Sequence, residues 1–451
     1  MTAGTRIIVL GRPPLLGASK TRLAADVGPG AAARLARAFL ADTWAGVSAW
    51  VSGQPDVDLV FAQEGPSEGY PLLLPTPTAV RQAEGDLGRR MATLVAGGLG
   101  QRARVLLLGT DSPGLPQTHL AAALAALDDA DIVLGPNKDG GFWCLGVRGG
   151  PPALWGNTWL DDLDWEVDGT RTQVEERARR MSLKVAHVPE WFDIDRADDL
   201  ADMRQLLDED KEHAPETAAA LAAPEPDVSV VIAALNENVG LDACLDALGD
   251  QPGALEIIVA DGGSTDRSAE RAAASGATVV VTGPGRGRQF AAGANVSTAP
   301  VLLFLHTDTR LPAGAPALVR AALDAGAEAG AFVTHTVADP RYPNRAGPLL
   351  RLADIRSRVT RHPYGDQGLF VTREAYEAVG GFRPLPIMED YDLSVRLASR
   401  KPLARVKTPV TVSGRRMQQQ PISSCVLMRI IPPLYRMGVN PNTLARIYRN
   451  R

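Results

Sequence analysis

VLLFLHTDT, residues Val301 to Thr309, is an apolar run of Val, Leu and Phe that stops abruptly on His306, Thr307 and Asp308. A continuous apolar run without polar alternation reads as a strand buried on both faces, the kind found in parallel sheets. Polar residues at the carboxyl end of such a strand sit where open α/β sheets hold ligands, so Asp308 points at a site. The pattern occurs twice: VLLLGTDSPGLP, Val105 to Pro116, echoes VLLFLHTDTRLP, Val301 to Pro312. Two strand ends that each carry an acid predict two related sheets, each with a carboxylate suited to a metal.

Outward from Val301 the chain alternates strands and helices. VSVVIAALNE from Val228, LEIIVADGG from Leu255 and TVVVTG from Thr278 read as strands, with helices from about Ser264 to Ala274 and around Gln289 to Val296. In the first half RIIVL (Arg6 to Leu10), DLVFA (Asp58 to Ala62), VLLLG and DIVLGP are the strands. Between them lie an Ala-rich helix from about Gly30 to Trp50 and helices near Asp86 to Leu99 and Gln117 to Leu127. Each half is therefore expected to be a mainly parallel sheet with helices on both faces. DEDKEHAPETAAALAAPEPD, residues 208–227, is rich in Ala, Pro and acids and has no apolar period. It reads as a linker, with a helical middle left open. The expected domains are 1–207 and 228–451.

At 451 residues the chain is long enough for two such domains, and its 45% hydrophobic and 22% charged residues are those of a folded globular protein. Cys144, Cys244 and Cys425 are far apart, with no pair at zinc-binding spacing, which predicts a reducing compartment and no structural zinc. The start, MTAGTRIIVLGRPP, has too short an apolar stretch for a signal peptide, and no run is long enough to span a bilayer. A cytoplasmic location is expected. The net charge of −5 hides an asymmetry: after Asp392 there is no Asp or Glu, but twelve Lys or Arg remain. Such a tail is either a solvated face or an attraction for phosphates and for the anionic inner face of a membrane. The segment CVLMRIIPPLYRMGV, Cys425 to Val439, leaves peripheral membrane docking and packing on its own domain or on a dimer partner as alternatives. Nucleic acid is not among the expected partners.

In the second half, polar groups end several strands of one sheet and should share one crevice. Asn236 and Glu237 follow the first strand, DGGSTD (Asp261 to Asp266) the second and His306 to Thr309 a later one, while MEDYDLSVRL (Met388 to Leu397) begins a helix. DGGSTD alone is a tight turn in which Ser264 or Thr265 can cap the next helix. GPGRGRQFAAGAN, Gly283 to Asn295, reads as a phosphate-cradling loop with Arg286 and Arg288 supplying charge.

The order VSVVIAALNE, DGGSTD, GRGRQFAAGAN, FLHTDT, GDQGLFV, GGF and MEDYDLSVRL resembles the family-2 glycosyltransferases, whose nucleotide-sugar-binding fold is called GT-A. Within them it looks most like the branch labelled for arsenosugar biosynthesis. By this resemblance, which covers Asp227 to Arg451, Glu237 and Asp261 would hold the nucleoside and Asn236 would line the same site. Asp308 would bind a divalent metal, Mg2+ or Mn2+, on the diphosphate. Asp390 would be the general base for inverting transfer of the sugar to an acceptor hydroxyl, with Glu389 orienting. Where the family often carries a late aromatic, this chain has SGRRMQQQ; Arg415 and Arg416 can still meet phosphate, but Met417 replaces the expected ring.

In the first half ASKTRLA places Lys20 and Arg22 at a strand-to-helix turn, GTDSP places Asp111 at a strand end, NKDGG places Asp139 before two glycines, and WFDIDRADDL places Asp193 and Asp195 just before a helix. Cations at such a turn suit phosphate oxygens, and the acids suit a metal bound to phosphates. Together these resemble the sugar-nucleotide or phospholactate nucleotidyltransferase-like family over Arg6 to Leu206, without its Gly-rich N-terminal loop. The resemblance implies a Rossmann-like domain that joins a nucleoside triphosphate to a phosphorylated substrate, with Asp111 and Asp195 as metal ligands. The expectation is a bifunctional enzyme of two tandem nucleotide-diphospho-sugar-transferase-like α/β domains; the alternative is a glycosyltransferase with an inactive N-terminal binding or regulatory domain. Self-association is left open.

Overall fold

The apolar runs and Ala-rich stretches fold into two sheets, one in each of two units, in a computed structural model that describes residues 3–449 other than 152–153, 155, 157, 166–168 and 344–346. The first unit takes the chain up to Ser67 and then Leu73–Ala223; the second takes Glu68–Leu72 and the chain from Pro224 onward. Among the described residues no helix is long and apolar enough to cross a membrane.

The first unit runs β1 (Thr5–Gly11), α1 (Thr21–Val27), α2 (Pro29–Ser52), β2 (Val57–Gln63), β3 (Ala79–Arg81), α3 (Leu87–Leu99), β4 (Arg104–Leu108), α4 (Gln117–Ala126), β5 (Ile132–Pro136), β6 (Phe142–Arg148), α5 (Thr170–Arg180), β7 (Val185–His187), α6 (Leu200–Glu209) and α7 (Pro215–Ala222). The strand order is β3-β2-β1-β4-β6-β5-β7. Only β6 runs antiparallel to its neighbours. Ile8, Leu107 and Leu145 of the sheet pack with Val95 and Leu99 of α3 and Val174 of α5. Leu23, Phe39 and Met203 join α1, α2 and α6 in a separate cluster that also receives Ala218 and Leu221 of α7.

That last contact corrects the expected linker. Residues 208–227 lie largely in α6, a short 3-10 turn and α7, and belong to the first unit as far as Ala223. The physical reason is a cap that sequence spacing does not show. Asp42 of α2 is buried, and its carboxylate accepts from Glu216 N at 3.0 Å, Thr217 N at 2.8 Å and Thr217 Oγ1 at 2.6 Å. The two backbone donors are ones that a helix start otherwise leaves without partners, and Pro215 needs none.

The second unit runs β8 (Val228–Ala234), α8 (Asn238–Gly249), β9 (Leu255–Asp261), α9 (Ser268–Ala274), β10 (Thr278–Val281), α10 (Arg286–Val296), β11 (Val301–His306), β12 (Thr309–Arg310), α11 (Ala315–Asp324), β13 (Ala329–Val337), α12 (Leu350–Val359), β14 (Leu369–Thr372), α13 (Arg373–Ala378), α14 (Glu389–Arg400), β15 (Ala404–Ser413), α15 (Arg415–Gln419), α16 (Pro421–Arg436) and α17 (Pro441–Arg449). Its order, β10-β9-β8-β11-β14-β13-β15-β12, repeats that of the first sheet and adds β12 at the edge. The inserted antiparallel strand, β14 here and β6 there, occupies the same place. The two echoed strings thus sit on β4 and β11, the fourth strand of each order, and Asp111 and Asp308 follow equivalent strands.

Apolar packing fixes the end of β11. Phe304 is fully buried and meets Phe290 of α10 edge-on at 5.4 Å and Phe382 at 4.7 Å. Burying each such ring stabilises by about 1.5–3 kcal/mol. Phe290 also lies almost parallel to the His306 ring, 5.9 Å away. Gly293 of α10 lets the helix reach the sheet, because a Cβ there would lie 2.3 Å from Val231 Cγ1.

Candidate functional site

Each unit has a cleft at the carboxyl ends of its strands. In the second unit β8 and β11 are neighbours, with parallel strands β9 and β10 beyond β8 and antiparallel β14 beyond β11. Helices leaving such adjacent strands diverge and open a crevice. Glu237 precedes α8, Asp308 follows β11 and Arg415 opens α15 after β15. The pairing of Thr309 with Val412, and the bond from Ser413 N to Asp308 O at 3.0 Å, bring the last two together.

The result is a pocket of about 560 Å³ that Glu237, Asp308, Arg286, Arg288, Arg415 and Arg416 line. Arg415 donates to Glu237 from both guanidinium ends, Nη1 to Oε2 at 2.9 Å and Nη2 to Oε1 at 2.5 Å, and Nη2 lies 3.5 Å from Asp308 Oδ2. Four guanidinium groups against two carboxylates leave an excess of positive charge suited to a diphosphate. Asn442 of α17 adds a lining residue that spacing did not reveal.

Arg286 stands in the first turn of α10, since the helix begins earlier than expected and the phosphate loop is correspondingly shorter. Its Nε lies 2.7 Å from Glu389 Oε1. Burial pushes the Glu389 carboxyl up, Arg286 opposes this, and the adjacent Asp390 reinforces it. Asp390 accepts from Gly365 N and, at 2.7 Å, from Tyr391 N. A Cβ on Gly365 would lie 2.7 Å from both Asp390 Oδ2 and His306 Nε2, so glycine is required where these side chains converge. Burial pushes the His306 imidazole down to about 3, with Arg286 adding to the effect, so the ring is neutral, and its Nε2 has no hydrogen-bond partner among the described residues. Asp366 of the GDQGLFV stretch is held by Arg356 at 3.1 Å, and burial raises its pKa. Sequence reading named His306 only as one of several polar groups at strand ends and gave Gly365, Arg356 and Asp366 no role; His306 and Gly365 meet Asp390 only in the folded chain.

Two expected substrate-binding residues are spent on loop backbone, Asp261 within its own loop and Asn236 on the loop after β9. Asp261 is buried and accepts from Gly263 N at 2.9 Å, Ser264 N at 2.8 Å and Ser264 Oγ. Asn236, in the left-handed region at φ 51°, accepts from Thr265 N at 2.8 Å. Neither lines the pocket as the carboxylates and arginines do. Ser264 and Thr265 do not cap α9 either; Asp266 accepts from Ser268 N at 3.1 Å and Asn238 N at 3.2 Å and so holds that helix start to α8. Met417 is buried against Leu350, which takes it out of the pocket altogether.

The first unit opens a larger cleft, about 1480 Å³, lined by Lys20, Arg22, Asp111, Asp139, Asp193 and Asp195 among others. Lys20 adopts a left-handed backbone, φ 48°, just before α1. Its ammonium sits between Asp111 Oδ1 at 2.8 Å and Asp195 Oδ1 at 2.9 Å. Burial alone would lower the Lys20 pKa, but the two carboxylates overcome it and raise it. Asp195 is lowered despite its burial because Lys20 and Arg22 face it, the latter at 3.6 Å. Asp193 is pushed up to about 7 by burial, then by Asp139 and Asp195. Asp139 accepts from Gly141 N at 2.8 Å, which closes the NKDGG turn. The expected metal ligands Asp111 and Asp195 thus grip an internal cation, and among the described residues no group of three potential ligands could hold a metal ion.

Comparison with known proteins gives the two halves different relatives. Residues 229–381 match the family model described as glycosyl transferase family 2, and residues 47–166 match one described as an uncharacterized protein conserved in bacteria. Uncharacterized glycosyltransferases of Mycobacterium bovis and Mycobacterium tuberculosis are 34% identical over 134 residues, which is 29% of this chain and 60% of theirs. The chain therefore spans less than two thirds of the curated relatives it matches. Similar solved structures include a protein from Desulfovibrio desulfuricans G20 named as a nucleotide-diphospho-sugar transferase, 27% identical, covering 49% of this chain and 94% of that one at a TM-score of 0.42. They also include a Pyrobaculum calidifontis mannosyltransferase in complex with GDP-Man and Mn2+, 18% identical, covering 49% and 69% at 0.35. Residues 229–381 are thus similar to the family-2 glycosyl transferases, and residues 47–166 to the uncharacterized bacterial family.

Proposed function

We propose that the second unit transfers a sugar from a nucleotide-diphosphate sugar to an acceptor hydroxyl with inversion. The observation that carries this reading is the pocket in which Asp308 and Glu237 face Arg286, Arg288, Arg415 and Arg416. In the transfer the bond from the anomeric carbon to the diphosphate breaks, and the acceptor oxygen bonds to that carbon from the opposite face. The acceptor proton goes to Asp390, whose carboxylate is aimed by Gly365 N and Tyr391 N. Charge that develops on the leaving diphosphate meets the arginines without their having to reorganise. Asp308 offers one pocket-facing carboxylate, which fits a hard divalent ion that takes the rest of its shell from phosphates and water. When bound, Mg2+ or Mn2+ would neutralise the leaving diphosphate. Glu389 holds Arg286 in place.

For the first unit, Lys20 and Arg22 at the mouth of α1, with Asp111 and Asp195 beside them, favour a nucleotidyl transfer. A phosphate oxygen of the substrate would bond to the α-phosphorus of a nucleoside triphosphate, and pyrophosphate would leave. The Lys20 ammonium between Asp111 and Asp195 supports the reading that a metal takes that place once phosphates draw Lys20 away. The two units would then form and use an activated sugar in turn.

Calorimetry of the full chain with a panel of nucleotide sugars, with Mn2+ and with chelator, tests the first reading. Binding should require the ion, and Asp308→Ala should weaken it at least about a hundredfold; metal-independent binding that Asp308→Ala leaves intact would refute it. Pyrophosphate release from nucleoside triphosphates and sugar 1-phosphates tests the second, and its absence, with Asp111→Ala without effect, would leave the first unit as a binding or regulatory module.

A further inference from the structure

Helices α12 and α16 are linked near both of their ends. Leu349 and Leu350, at the start of α12, pack with Met417, Cys425 and Met428, and past its end His362 Nε2 meets Arg436 Nη2 at 3.2 Å. The two contacts fix both ends, so the helices run in the same direction. The opposite side of α16 is buried, with Ile431 in a cluster with Ile387, Met388 and Tyr391, and Tyr435 donating to Asp392 Oδ1 at 2.8 Å.

Their outward faces are aliphatic. On α12 Leu352, Ile355 and Val359 follow the three- and four-residue spacing of one face and are 48%, 56% and 71% exposed. On α16 Ile422, Val426 and Ile430 recur every four residues and are 75%, 46% and 46% exposed. Contiguous aliphatic rows of this kind mark interaction surfaces. The charge around them has one sign. Arg351, Arg358 and Arg361 are exposed beside the first row and Arg429 beside the second. The one acid of α12, Asp354, is buried and accepts from Thr334 Oγ1, Thr336 N and Thr336 Oγ1, and α16 and α17 contain none.

We propose that this paired-helix face docks on an anionic lipid bilayer, with the aliphatic rows entering the interface and the arginines meeting headgroup phosphates. Charge decides between a bilayer and a second copy of the chain. A two-fold contact would set these arginines against each other with no carboxylate on the same face to pair them, whereas an anionic surface matches both the apolar rows and the basic border.

Flotation of the full chain with vesicles of phosphatidylcholine, and of phosphatidylcholine with phosphatidylglycerol, tests this. The protein should rise only with the anionic vesicles and leave them at high salt. Combined Arg351→Gln, Arg358→Gln and Arg429→Gln should lower partitioning about a hundredfold, at about 1 kcal/mol per cation, and combined Ile355→Ser, Val359→Ser and Ile422→Ser at least about tenfold. These positions are exposed, and unchanged thermal melts of both variants would confirm that the fold is kept. No partitioning, or equal partitioning to both vesicles, would overturn the proposal. So would a dimer in sedimentation velocity that the triple-serine variant dissolves, which would assign the face to a second copy.

Discussion

Arg415 and Glu237 stand 178 residues apart and meet through two hydrogen bonds at 2.9 and 2.5 Å. The pair ties the start of α8 to the start of α15, and Asp308 lies 3.5 Å from the same guanidinium nitrogen. A lysine cannot reproduce a two-pronged contact. Arg415→Lys should weaken nucleotide-sugar binding about tenfold, measured by calorimetry, while the melting temperature stays within a few degrees. Unchanged affinity would mean that the arginine only braces Glu237.

Gly365 leaves room for Asp390 and His306 to converge. Gly365→Ala puts a methyl 2.7 Å from both, so Asp390 must move. A displaced general base costs about 10²–10⁴ in rate. The variant should lose transfer while keeping nucleotide-sugar binding, as should Asp390→Asn; a kcat within a factor of a few of the wild type for either would rule out the base assignment.

Asp42 holds α7 on the first unit. Asp42→Ala removes the acceptor for three donors, two of which belong to the fully buried Thr217. A lost cap costs about 1–2 kcal/mol, and a buried donor left without a partner adds to it. Urea unfolding should show the loss, and limited proteolysis should cut between Asp208 and Asp227 sooner than in the wild type.

Asp193 provides a pH dependence. Its pKa rises from an ordinary 3.8 to about 7 in the folded state, because burial, Asp139 and Asp195 all disfavour its charge. The folded unit then holds a proton that the unfolded chain has released, so this contribution to stability falls as pH rises between those two values and is flat above. Asn carries no such proton. Asp193→Asn should flatten that slope and stabilise the unit at pH 8, as read from denaturant midpoints across pH.

The strand pattern was legible because it is local. VLLFLHTDT and VLLLGTDSP announce buried strands ending on acids, and their shared fourth place in two sheets of the same order bears out the echo. Asp308, Glu237 and the arginines were legible as polar groups at strand ends. The linker was not, since nothing near residues 208–227 reveals a carboxylate on α2, far earlier in the chain, that caps α7.

The sequence by itself determined two α/β sheets and which strand ends carry charge, because apolar periodicity and chain punctuation act over a few residues. Tertiary structure alone decided which of those charges remain available. Asp261 is consumed by its own loop and Asn236 by the loop after β9, Asp111 and Asp195 close on Lys20, and Asp308 remains at a pocket edge beside Arg415. A carboxylate is a ligand or a brace according to which donors reach it first; those of Asp261 are local, but those of Asp111, Asp195 and Asp308 come from distant parts of the chain.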